Sequence, residues 1–141
     1  GHTQKAATGK LCQLRIDPRT GRILELTQVI DRGCEFPVVN PQETGQFSRN
    51  TYFSIHRPGI DPQQELFGAI GRFDYQTATL TVADLGENRY PMEPIYAPDR
   101  VHPEQGWIVT VVFDGNCDRS EVWVYNAARL EEPPVCRLGL P

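Results

Sequence analysis

Little in this sequence could build a helix or a membrane span. No segment of its 141 residues carries apolar side chains at helical spacing. No apolar run approaches the ~20 residues of a membrane-spanning helix, and none reads as a signal peptide. Lys and Arg total 14 against 18 Asp and Glu, scattered without a basic stripe, and the formal net charge of −4 argues against a nucleic-acid surface. None of the four cysteines forms a CxxC, so a structural zinc site has no ligands in the required pattern. Cys12, Cys34, Cys117 and Cys136 are read as free thiols in preference to two disulfides, with Cys12 and Cys136 as small core hydrophobes inside strand-like runs. A nucleophile elbow, a phosphate-binding loop and an HExxH pair are all missing. Gly68 and Gly71 lie in a strand-like run with no helix after it, which excludes a dinucleotide fingerprint.

Turn formers and β-branched residues are plentiful. Twelve prolines and twelve glycines favour many short elements. The clearest of these elements is GWIVTVVFDGNCDRSEVWVYNA, residues 106–127. Its first run is apolar on both faces and belongs inside a sheet; Asp114-Gly115-Asn116 turns the chain, and Val122 and Val124 resume it as a hairpin. Upstream, Leu11 to Ile16 alternates as a half-buried strand, Asp17-Pro18-Arg19-Thr20-Gly21 is a turn, and Ile23 to Ile30 returns. The prolines at 37 and 41 disfavour a central strand over Gly33–Pro41. Strands follow at Thr51–His56, Leu66–Asp74 and Thr79–Ala83, then a proline-stiffened stretch, Tyr90–Pro98, and a last strand within Pro134–Leu140. The fold class is all-β, in one domain over 10–141, with residues 1–9 read as a tag remnant (Gly1-His2) and a flexible start.

The chain repeats itself. Arg15-Ile16-Asp17 with Thr20 and Ile23 matches Arg72-Phe73-Asp74 with Thr77 and Leu80, 57 residues on. Glu35 beside Pro37 matches Glu93 beside Pro94 at 58, and Tyr52-Phe53-Ser54-Ile55 matches the strand that begins at Trp107. Each unit reads hairpin, proline-flanked glutamate, loop, strand. A period of this length suits β-propeller blades with inserted loops, and two blades are an incomplete array.

Glu35, between Cys34 and Phe36, and Glu93, between Met92 and Pro94, are single acids in apolar segments, where a carboxylate is costly without a donor or metal. Neither His56 nor His102 has a second histidine at ligand spacing, so both are read as solvated.

The segments CEFPVVNPQETGQ (34–46), NRYPMEPIYAP (88–98) and GWIVTVVFDGNCDRSEVWVYNAARL (106–130), together with the hairpins LRIDPRTGRI and GRFDYQTATL, resemble the C-terminal third of carotenoid cleavage oxygenases in the same order. The resemblance covers nearly the whole chain after Lys10. It implies part of a seven-bladed propeller with Fe(II) on its axis held by four histidines, and oxidative cleavage of a conjugated C=C bond of carotenoids, apocarotenoids or stilbene-like polyenes with O2. It implies that Glu35 and Glu93 accept hydrogen bonds from iron-bound histidines. None of His2, His56 and His102 matches a ligand, so the chain is expected to supply no catalytic residue and no metal ligand, to bind no iron tightly and to be inactive alone. The remaining propeller blades are its expected partners. The expected location is cytoplasmic, with any membrane contact made by parts of the longer protein that are not present here. A self-standing β-sandwich binding module, or an inactive truncated or cleaved product, are the competing readings.

Overall fold

A computed structural model describes residues 9–141, so the expectations for residues 1–8, His2 among them, lie outside the described residues. Among the described residues, ten strands form two antiparallel sheets: β1 (Lys10–Ile16), β2 (Ile23–Val38), β3 (Asn50–Ile55), β4 (Ala69–Asp74), β5 (Thr79–Asp84), β6 (Arg89–Pro91), β7 (Ile95–Pro98), β8 (Gly106–Asp114), β9 (Arg119–Asn126) and β10 (Cys136–Gly139). The first sheet runs in chain order from β1 to β5; in the second, β10, β9, β8 and β6 are neighbours and β7 also pairs with β8. Among the described residues, the helical content is two single 3-10 turns, at Pro41–Glu43 and Ala127–Arg129.

The repeat seen in the sequence is a repeat of hydrogen bonds. Asp17 donates its N–H to the Arg22 carbonyl at 2.9 Å, and Asp74 pairs with Thr79, the same positions 57 residues on. In each turn the aspartate carboxylate accepts the N–H two residues ahead (Arg19 at 2.8 Å, Gln76 at 2.8 Å). Four residues beyond the aspartate the backbone enters the left-handed region, at Gly21 (φ 68°) and Ala78 (φ 52°). Asp114 does the same for the β8–β9 hairpin, with Asn116 N–H at 3.0 Å and φ 52° at Asp118. The side-chain bond replaces a missing ladder partner, so a local residue type fixes the turn.

Three expectations about the strands are corrected. β2 is one strand of 16 residues that runs through Pro37. Its first part pairs with β1 and its last part with β3, and the prolyl ring sits where the β2–β3 register jumps between Glu35 and Val38, so no ladder bond is lost there. The β1 strand is exposed, not half-buried: Leu14 and Ile16 are each 50% accessible and only Leu11 is covered. Cys12 is exposed and Cys136 half-buried on an edge strand; Cys34 is the buried cysteine, and all four are free thiols.

One core joins the sheets. Phe53, Ile55 and Ile70 from the first pack with Ile108, Val112, Trp123, Tyr125 and Leu130 around the second. The central strand β8 alternates strictly, burying Ile108, Thr110 and Val112 towards this core. Its other face, with Val109, Val111 and Phe113, is less covered, so the apolar second face read from the sequence has no sheet upon it in this chain. Polar bonds close the seam: Tyr52 Oη donates to the Ala127 carbonyl at 3.0 Å, and Arg72 donates to the same carbonyl at 3.0 Å. Burial beside Tyr96 pushes the Tyr52 hydroxyl far above its ordinary value, so it remains a donor.

Candidate functional site

Glu35 and Glu93 occupy matching breaks in the strand pairing, one in each sheet. Glu35 pairs with Ser54 across the β2–β3 ladder, immediately before the register jump. Phe36, the next residue, has φ 56°, a conformation that costs a bulky side chain of order 1–3 kcal/mol and persists only where the surroundings impose it. Glu93 falls in the gap between β6 and β7, after Pro91 pairs with Val112 and before Ile95 pairs with Val109. In both places a proline-containing break lifts one glutamate out of the regular pleat.

A single backbone acceptor links the two breaks. Opposite Glu35, the buried Ser54 hydroxyl donates to the Met92 carbonyl at 3.3 Å; from β8, the buried Thr110 hydroxyl donates to that same carbonyl at 3.0 Å. The Met92 N–H is itself fixed to the Val111 carbonyl at 2.7 Å. Residues 58 apart in sequence are thereby tied through Ser54 and Met92. Both glutamates are exposed. Each lines its own groove, one shared with His56 and Phe67 and the other with Ile95 and Val122; Met92 and Phe113 border both. The aromatic residue beside Glu35, Phe36, is 45% accessible.

The histidines divide. His102 is exposed, in a loop held by Asp99, whose carboxylate accepts the His102 and Val101 N–H groups and the Trp107 indole N–H at 3.2 Å. Those donors hold the Asp99 carboxyl below its usual range. His56 is not solvated, contrary to expectation. It is 6% accessible, its ring lies against Phe67 with centroids 4.5 Å apart, and neither ring nitrogen has a partner among the described residues. The sequence hid this because the covering ring comes from the irregular loop that precedes β4. No cluster of three or more His, Cys, Asp or Glu able to hold a metal occurs among the described residues. The described residues therefore do not fit a metal's inner ligand set.

Comparison with known proteins identifies the family of the chain. The family described as "Retinal pigment epithelial membrane protein" (RPE65) matches residues 2–141. The chain belongs to this family. The chain is 30% identical over 136 residues to the apocarotenoid-15,15'-oxygenase of Synechocystis sp., a match over 94% of this chain and 27% of that protein. It is 27% identical over 146 residues to carotenoid 9,10(9',10')-cleavage dioxygenase 1 of Arabidopsis thaliana, covering 94% and 26%. Among solved structures, a chimera of the Synechocystis oxygenase with RPE65 superposes with a TM-score of 0.84 at 26% identity, over 94% of this chain and 28% of that one. The cobalt-substituted Synechocystis oxygenase superposes at 0.82 with 27% identity, over 94% and 28%. The chain thus spans about a quarter of the length of these relatives. Its two sheets are blades of a β-propeller, an incomplete part of that fold, and a self-standing sandwich is set aside.

Proposed function

We propose that this chain is part of a non-haem Fe(II) dioxygenase of the RPE65 family that cleaves a conjugated C=C bond of a carotenoid or apocarotenoid with O2. Support comes from the oxygenase relatives along 94% of the chain. The observation that carries the residue roles is the pair of matched defects, Glu35 and Glu93, joined through the Met92 carbonyl. The metal's chemistry on O2 belongs to the complete protein, whose remaining blades would supply the ligands. In this reading Glu35 and Glu93 each accept the free N–H of a metal-bound imidazole, which fixes the ring's tautomer and orientation. Two carboxylates would also offset cationic charge that neutral histidines leave uncompensated. The bulge at Phe36 and the gap at Met92 hold these side chains clear of the ladder, so neither carboxylate is tied up by its own sheet.

The test uses the full-length protein with Glu35→Gln and Glu93→Gln, which keep shape and remove charge. In each variant, iron content or turnover of an apocarotenoid should fall by roughly 10–100-fold. Wild-type values in both variants would return these residues to the fold alone.

A further inference from the structure

The groove lined by Glu35 combines apolar walls with one buried polar ring, that of His56. It has a volume of about 460 Å³, within the range of small-molecule sites, and its walls include Leu66, Phe67 and Met92. Leu66 and Met92, 69% and 63% accessible in this chain, give the groove its apolar character. His56 also lines this groove, and it is the one buried side chain there with unused hydrogen-bonding capacity among the described residues. Buried polar groups in native structures are almost always paired, so this ring calls for a partner from outside the described residues.

Three features narrow what the imidazole can meet. Its ring is wedged on Phe67, and its own carbonyl receives the Arg32 guanidinium, so the residue is held from both ends. The walls around it are apolar, so its two ring nitrogens are the polar atoms it offers there. The exposed carboxylates at the groove, Glu35 and Glu65, repel a carboxylate or phosphate terminus.

We infer that His56 is a specificity residue that hydrogen-bonds the hydroxyl or carbonyl oxygen at the end of a neutral, elongated apolar molecule lying in this groove. The inference rests on the polyene reading above and deepens it: an oxygenated end is selected over a pure hydrocarbon. A site built to hydrogen-bond a hydroxyl disfavours the analogue that lacks it, because its buried polar group is then left unpaired.

Calorimetric binding to the metal-free full-length protein tests this with farnesol and with the hydrocarbon carrying CH3 in place of its CH2OH. Farnesol should bind about 10-fold tighter to the wild type, the worth of one buried hydrogen bond. His56→Phe preserves the stack on Phe67 and should bring farnesol down to the hydrocarbon's affinity. The ring-nitrogen NMR shifts of His56 should move with farnesol and stay still with the hydrocarbon, a readout that does not depend on the variant folding. Equal affinities in the wild type, a preference that survives in His56→Phe, or unmoved shifts would each overturn the proposal. Because no metal is present, these outcomes are separate from those of Glu35→Gln and Glu93→Gln, which are read from iron content and turnover.

Discussion

At the end of β4, Asp74 meets the Arg49 guanidinium at 2.7 Å while its other oxygen takes two turn N–H groups. The arginine and these donors hold its carboxyl down at about 2. Asp114 repeats the arrangement with Arg89 at 2.7 Å and is also held below its usual range. The sign of the linkage follows: a carboxylate with a lowered folded pKa stabilises the fold above the ordinary carboxylate range near 4. That contribution is lost as pH falls from about 4 through about 2. Asp74→Asn should therefore lower Tm at pH 7, and the gap to wild type should narrow as pH drops from 4 towards 2. Thermal scans across that range check it; a gap that is constant with pH would assign the loss to the turn geometry and not to charge. The aspartates were legible in the sequence because their bonds are local. The arginines opposite them, 25 residues away in each pair, were not, since no short-range pattern announces a partner at that distance.

The elements were legible to the degree that their residues decide alone. The all-β class, the hairpin turns and the 57-residue offset rest on period-two alternation and Asp-Gly chemistry, which act within a few residues. The unbroken β2, the depth of His56 and the role of the Met92 carbonyl depend on which strand arrives beside them, and a backbone acceptor has no residue type to betray it. Close approach between elements gives a prediction of its own. A Cβ added at Gly71 in β4 would overlap the ring of Phe53, and one added at Gly106 in β8 would overlap the ring of Tyr96. Both neighbours are packed, Phe53 completely, so neither ring can swing away freely. Gly71→Ala should cost about 1–3 kcal/mol, the usual penalty for overpacking. In chemical denaturation, adding Phe53→Leu should recover part of that loss; additive losses would place the effect in the backbone and not in the ring.

At the scale of the whole molecule, both sheets carry apolar faces that nothing among the described residues covers. The β1–β2 hairpin sets Leu14 opposite Leu26 on one face and Arg15 opposite Glu25 on the other, and the apolar residues stand 50% and 63% accessible. On the second sheet, Ile95, Val109, Val111 and Val122 line an open groove of about 500 Å³. Propeller blades bury such faces only against the next blade, and each fully covered leucine or valine contributes about 1.5–3 kcal/mol. Residues 1–141 expressed alone must therefore satisfy these faces with copies of themselves. Sedimentation should show mass rising with concentration, and sulfate should strengthen the association by favouring apolar burial. Leu14→Lys with Leu26→Lys should weaken it by removing one of the two faces, leaving the Asp-based turns and the core between the sheets intact. A chain that stays monomeric up to the highest concentration reached, with or without sulfate, would mean that these faces are tolerated by solvent. The propeller reading would then need another account of why β1 and the outer face of β8 are so apolar.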